Sequence, residues 1–190
     1  MNNMRIGFAL CGSFCTFDKA FEAIEELTSR GARVTPIMSF NAARIDTRFG
    51  TAAEVKARLV SLCSREVIET IEAAEPIGPK KLFDLLVVAP CTGNTLAKLA
   101  CGIADTPVTM AVKSHLRNRG KVLVAVSTND ALAAAARNIG ELLSRRGYFF
   151  VPMSQDAPFD KPTSVVADFS ELAAAARLAA DGVQLQPIIK

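Results

Sequence analysis

The chain has 190 residues, half of them apolar and 22% charged, which is the composition of a folded domain and not of a disordered tail. Its 22 Lys and Arg against 19 Asp and Glu leave a net charge of +3, too slight and scattered to point to nucleic acid. The apolar runs are far short of a membrane span, and Met1 to Arg5 leads into a strand without a signal-peptide pattern, so the cytoplasm is expected.

Arg5 to Cys11 reads as a first strand with almost no polar face, and Gly12-Ser13 turn the chain. Phe17, Ala20, Phe21, Ile24 and Leu27 recur at helical spacing, with Thr16 or Ser13 as the expected cap and Gly31 as the stop. A strand, a Gly-Ser turn and a helix N-terminus form the usual seat of a phosphate in a doubly wound sheet. No Gly-x-Gly-x-x-Gly follows, which favours a mononucleotide over a dinucleotide. Arg33 to Ser39 is a second strand, and Pro36 inside it marks an edge. Asn41 to Gly50, holding Arg44, Asp46 and Arg48, lacks periodicity and reads as loop.

Thr51-Ala52-Ala53-Glu54 is a capping box opening a helix with Val55, Leu59 and Leu62 inward. Ser64 is expected to begin another, with Val67, Ile68 and Ile71 inward, before the rigid Glu75 to Lys81. Leu85 to Ala89 is an unbroken apolar run, suited to a central strand that Pro90 is expected to end. Leu96, Leu99 and Ala100 mark the helix after it, closed by Gly102. Thr106 or Asp105 caps the next helix and Pro107 takes its first position; Val108, Ala111, Val112 and His115 or Leu116 form its buried stripe. Lys121 to Ser127 is a fourth strand, and Thr128-Asn129-Asp130 its loop. A helix to Arg146 is expected to turn Leu132, Ala136, Ile139 and Leu143 inward. Tyr148 to Met153 is a fifth strand, Ser154 to Pro162 a polar loop, and a last helix runs to about Gly182.

Five alternations of strand and helix without linker or repeat predict one α/β domain over 1–190, a three-layer, doubly wound, mainly parallel sheet of Rossmann or flavodoxin-like type. The tail 183–190 carries Ile188 and Ile189, which need cover from the parent domain or a neighbouring subunit.

Three loops should meet at the carboxyl edge of that sheet: Gly12-Ser13-Phe14, Ser39-Phe40-Asn41 and Pro90-Cys91-Thr92-Gly93-Asn94-Thr95, with Thr128-Asn129 as a fourth. Their hydroxyls and backbone N–H groups suit a phosphate, and Asn94 a ribityl chain or ring. Lys98 stands four residues after Asn94, placed either to neutralise a phosphate or to pair with Asp105. Five cysteines (Cys11, Cys15, Cys63, Cys91, Cys101) and one histidine offer no converging ligand set, so no metal is expected and the thiols are read as buried and reduced. His115 falls mid-helix, which suits a structural or subunit-contact role better than a general base; no catalytic residue is assigned. Lys80-Lys81 and Arg145-Arg146 are read as solvated pairs.

Pro90-Cys91-Thr92-Gly93-Asn94-Thr95, then Lys98 and Gly102-Ile103-Ala104-Asp105, resembles the flavin-site signature of the homo-oligomeric flavin-containing cysteine decarboxylases. Ala9 to Phe17, Glu75 to Lys81 and Asp156 to Ser164 extend the resemblance over nearly the whole chain, toward a two-subunit oxidoreductase of that superfamily. The resemblance implies FMN at Ser13, Ser39, Thr92, Asn94 and Thr95, a homo-oligomer, a partner subunit that binds NAD(P), and a small dicarboxylate substrate. Lys161, Arg44 and Arg48 are the cations available to such a dianion, although each alone reads as a surface charge. The family's histidine before the central strand is replaced here by Pro76 to Lys80, and its Pro-Ala-Met-Asn segment by Val126-Ser127-Thr128-Asn129. Both departures argue against peptidyl-cysteine decarboxylation. A non-catalytic partner subunit, and an FMN-dependent decarboxylase or prenyltransferase, are the alternatives left open.

Overall fold

The computed structural model describes residues 1–190. The strands are β1 (Arg5–Leu10), β2 (Arg33–Met38), β3 (Leu85–Cys91), β4 (Val122–Thr128), β5 (Tyr148–Phe150), β6 (Met153–Ser154) and β7 (Val165–Ala167). The helices are α1 (Phe17–Ser29), α2 (Phe40–Arg44), α3 (Ala52–Cys63), α4 (Ile71–Ala74), α5 (Gly93–Ala100), α6 (Pro107–Arg117), α7 (Ala136–Ser144) and α8 (Leu172–Asp181). β2, β1, β3, β4 and β5 lie side by side and all parallel. The chain order therefore reverses between β1 and β3, and a crevice opens beyond their carboxyl ends. No helix is long and apolar enough to cross a membrane.

The apolar runs form central strands because both faces are covered. Ile6, Phe8, Leu10, Leu85, Val87, Leu123 and Ala125 face the core under α1, α3 and α8. Their neighbours Ala9, Leu86, Val88, Val122, Val124 and Val126 face the core under α5, α6 and α7. This two-residue alternation is the strand period expressed on two buried faces. Pro36 sits on the edge strand β2, as expected. The Thr51–Glu54 capping box forms, and Thr106 caps α6 with Pro107 in its first turn.

Several local expectations are corrected. Pro90 does not end β3; the strand passes through it at a register shift between Val88 and Cys91, a place where a missing N–H is tolerated. Ser64 closes α3 in a left-handed conformation instead of opening a helix. The chain then runs extended, and Ile68 pairs with Ile37, covering part of the β2 edge. Asn41 to Gly50 is not all loop, because Ser39 caps the short helix α2 through Ala42 N–H. Neither Thr16 nor Ser13 caps α1 through its side chain; a 3-10 turn over Phe14–Thr16 intervenes. Leu62 is only partly buried, and Cys63 completes the inward face of α3.

Leu132, Ala136 and Leu143 point outward, and Ala131, Ala135, Ile139 and Leu142 pack inward. Two elements were illegible in sequence. β5 stops before Pro152, and β6 and β7 form an antiparallel pair that takes over the last two residues of β4. The tail docks on its own domain: Ile189 bridges Met153, Ile188 packs on the core, and Lys190 pairs with Asp168 and Glu171. Cys11, Cys63 and Cys91 are buried thiols as expected, whereas Cys15 and Cys101 are exposed. Arg145 is not merely solvated; its guanidinium donates to Leu99 O and Ala100 O at the C-terminus of α5, where a cation is favoured.

Candidate functional site

Main-chain hydrogen bonds bring the three strand-end loops together. Cys11 N–H donates to Pro90 O at 3.2 Å, and Ser39 N–H donates to Leu10 O at 2.9 Å. The turn after β1 is thus tied to the end of β3 on one side and to the start of α2 on the other. Side chains join the fourth loop to the same edge. Ser13 Oγ and Ser127 Oγ share a hydrogen bond at 2.8 Å, across a sequence separation of 114 residues.

Two adjoining recesses open between these loops. The narrow one, about 410 Å³, is lined by Gly12, Ser39, Asn41, Thr92, Asn94 and Thr95, with Lys98, Asp105 and Thr106 at its far side. The wide one, about 750 Å³, is lined by Gly12, Ser13, Phe14, Gly93, Thr128 and Asn129. Arg48, Phe49, Asp130, Asp156, Lys161 and Ser164 complete its wall. Gly12, Thr92 and Asn94 border both, and Ser13 and Thr92 face the same hollow. Each volume is in the range of small-molecule sites.

Thr92 is the N-cap of α5. Its Oγ1 accepts from Thr95 N–H at 3.3 Å and donates to Thr95 Oγ1 at 3.1 Å, so the Thr95 hydroxyl proton is free for another acceptor. Gly93 follows, and a Cβ there would lie 2.7 Å from Asp130 Oδ1 and 2.8 Å from Thr128 Oγ1, so a larger residue would push both side chains aside. Asp130, which accepts a hydrogen bond from Thr128 Oγ1, therefore already fronts the first turn of α5. Lys98 Nζ pairs with both oxygens of Asp105, at 2.7 and 2.8 Å, so the ion-pair alternative is realised while Lys98 still lines the narrow recess. The hydrogen bond from Lys98 holds the Asp105 carboxyl below its usual range. Asp105 is therefore a pairing group and not the cap of α6.

Not every sequence candidate reaches the recesses. Pro90 and Cys91 are buried and line neither. The register shift turns Cys91 to the face opposite Ala89, against α5 and α6. Burial pushes its thiol well above the ordinary value, and pushes Cys11, beside Thr95 and Thr92, up to about 11. Both thiols stay protonated at neutral pH, so neither is a thiolate nucleophile. His115 is buried in α6, its Nε2 is unpartnered, and burial lowers its pKa. Arg44 lines neither recess and stacks on Phe40, which lines the narrow one, whereas Arg48, stacked 4.8 Å from the Phe49 ring, lines the wide one. Lys161 reaches the wide recess and pairs with Asp156 at 3.4 Å.

Ser127, Asp130, Asp156 and Ser164 are wall residues that the sequence reading did not single out. Ser127 carries a signal in retrospect, as the first polar residue after an apolar strand. Asp130 lies in the loop after β4, and Asp156 and Ser164 arrive through the loop before β7, fastened to it by Thr163 Oγ1 donating to Asn129 O at 2.6 Å, a contact with no local signature.

Comparison with known proteins agrees with this geometry. The Flavoprotein family matches residues 1–176. The B subunit of dipicolinate synthase from Bacillus subtilis is 44% identical over 189 residues, covering 100% of this chain and 94% of the relative. The crystal structure of the dipicolinate synthase B subunit from Bacillus halodurans superposes with a TM-score of 0.91 at 37% identity, covering 100% of this chain and 98% of that one. The FMN-dependent cysteine decarboxylase SpaF, 24% identical, shares the fold with a TM-score of 0.70 over 93% of this chain and 97% of its own. A relative of matching length, the family match and the doubly wound sheet converge: this chain belongs to the Flavoprotein family.

Proposed function

We propose that this chain is the flavin-binding subunit of a two-subunit dipicolinate synthase. It works in the cytoplasm of a sporulating cell with the NAD(P)-binding A subunit of dipicolinate synthase, and oxidises a dihydrodipicolinate-type precursor to dipicolinate. The observation that carries the reading is the pair of adjoining recesses at the β1/β3 switch point, in a chain that matches a B subunit over its full length. The residues present fit FMN: hydroxyls of Ser39, Thr92 and Thr95 and the amide of Asn94 converge on the narrow recess. Lys98, with two of its three donors on Asp105, retains one for a phosphate oxygen. Asp130 occupies the front of α5, which directs the phosphate to the narrow recess and leaves the wide one for the ring and substrate.

Aromatising a dihydropyridine removes two electrons and two protons, and bound flavin supplies an acceptor for them. The chain's own share is to hold the reactants. Arg48, without a carboxylate partner, and Lys161 place cations on the wide recess for the two carboxylates of the substrate. The family's homo-oligomeric habit extends to this chain in the same reading.

The test is direct. Purified protein incubated with FMN should retain yellow colour and quench flavin fluorescence; colourless protein after desalting counts against the flavin. A second reading, a flavoprotein fold kept as a non-catalytic support for the A subunit, is favoured by the carboxylate of Asp130 standing at α5. Reconstitution with the A subunit separates the two. A triple change at Ser13, Thr92 and Asn94 that leaves full activity of the pair makes the recesses non-chemical.

A further inference from the structure

A groove of about 1080 Å³, larger than either recess of the crevice, lies elsewhere on the molecule. It lies at the opposite, amino edge of the sheet. α5 starts at the carboxyl edge and runs back, so its last turn arrives where β4 and β5 begin. The groove is bounded there by Gly102 and Ile103 after α5, by the outer face of α6, and by Lys121 and Gly147 before the two strands.

Its chemistry is one-sided. Six lining residues are basic (Lys113, Arg117, Arg119, Lys121, Arg145, Arg146) and none is acidic, in a chain whose net charge is only +3. Two of the six are occupied: Lys121 Nζ donates to Ala180 O, and Arg145 holds Glu141 and the carbonyls ending α5. Lys113, Arg117, Arg119 and Arg146 are exposed, and their side chains have no ion-pair or hydrogen-bond partner. Between them the floor is apolar. Ile103 is 46% exposed, and Leu116, Tyr148 and Phe149 are half-buried.

We propose that this groove docks an acidic, apolar-faced segment of the partner subunit, resting on the two-subunit reading above. An apolar centre rich in aromatic side chains, ringed by arginines, is the anatomy of a protein interface. The four free cations stand exposed on three separate stretches, α6, the turn after it and the residue pair before β5, and together they present a positive surface that steers an acidic one. The placement has a consequence for the pair. With the A subunit on the amino edge, the crevice at the carboxyl edge stays open to solvent and substrate.

The experiment uses this chain co-purified with its A subunit. Affinity is measured by sedimentation or interferometry at about 50 and about 500 mM NaCl, on either side of strong screening. The triple variant K113E/R117E/R146E, all at exposed positions, is compared with R65E/K80E/R177E, which changes the charge equally on other faces. Docking in the groove predicts that the first variant weakens the complex at least about tenfold at low salt, and less at high salt. The second variant stays within about twofold, and both melt like the parent. Substituting Ile103→Ser gives the same direction without changing charge. If the parent binds the A subunit and the groove variants bind it equally well, the groove proposal falls and the two-subunit reading stands. If the parent itself forms no complex, both fall. If K113E/R117E/R146E instead alters the oligomeric state of this chain alone, the groove joins copies of this chain and the proposal is overturned.

Discussion

Substituting Thr92→Val separates a helix cap from a ligand contact. Val keeps the shape of Thr but removes the acceptor for Thr95 N–H and the donor to Thr95 Oγ1. Loss of an N-cap costs about 1 kcal/mol, which for a chain of this size lowers Tm by about 2–4 °C. Thr51 provides a matched control. It caps α3 with the same geometry, accepting from Glu54 N–H at 3.2 Å, and lies outside both recesses. Thr51→Val should therefore lower Tm by a similar amount and leave FMN affinity unchanged. Thr92→Val should lower Tm equally but also weaken FMN by about 10–100-fold, because the Thr95 hydroxyl loses the Thr92 bond that aims its proton at the phosphate, and a hydrogen bond to a charged group contributes about 1.5–3 kcal/mol. Thermal unfolding of the apoprotein and flavin fluorescence quenching read the two quantities independently. Equal FMN affinity in the two variants would refute the placement of phosphate at the α5 cap.

Gly93→Ala should cost about 1–3 kcal/mol in urea unfolding, because the new methyl lies against Asp130 and Thr128; the double variant Gly93→Ala/Asp130→Ala should regain part of that loss. Ser114 Oγ accepts from Gly78 N–H at 2.9 Å and donates to Glu75 O at 2.6 Å, so Ser114→Ala strands the buried Gly78 N–H and frees the part-buried Glu75 carbonyl, and should destabilise by about 1–3 kcal/mol in the same assay. His115 gives a pH dependence. Burial depresses its folded pKa below the unfolded 6.5, so the unfolded chain takes up the proton first. Its contribution is complete above the unfolded value and is lost as pH falls below it, at a slope of at most about 1.4 kcal/mol per pH unit. As the only histidine, it should account for the loss of stability between about pH 6.5 and 5. His115→Gln should flatten that limb, and a steep limb that survives the substitution would exclude it.

Local pattern carried the architecture. Uninterrupted Val- and Leu-rich runs, turns of Gly, Ser and Asn, and amphipathic stripes sufficed to predict parallel strands with helices on both faces. The edge position of Pro36, the Thr51 capping box and the meeting of three loops at one edge followed from the same rules, since each depends on residues a few positions apart. What failed depended on remote partners. Ile68 has the spacing of a helix stripe, yet it pairs with Ile37 because the β2 edge was open. Ile139 packs inward as its spacing predicts, but Leu132 and Leu143 do not: the turn closed by Ala133 N–H and Ala135 N–H on Asp130 O precedes α7, and Leu142 and Ala135 take the inward face beside Ile139. The hairpin of β6 and β7 exists because β5 ends early and leaves the last residues of β4 unpaired. Lys98, Ser13 and Cys91 were legible as residue types at a ligand edge. Only the folded chain decided that Lys98 meets Asp105, that Ser13 meets Ser127, and that a register shift at Pro90 turns Cys91 into the core. Side-chain direction at the end of a strand is set by what packs against it from far away in sequence, and periodicity carries no information about that.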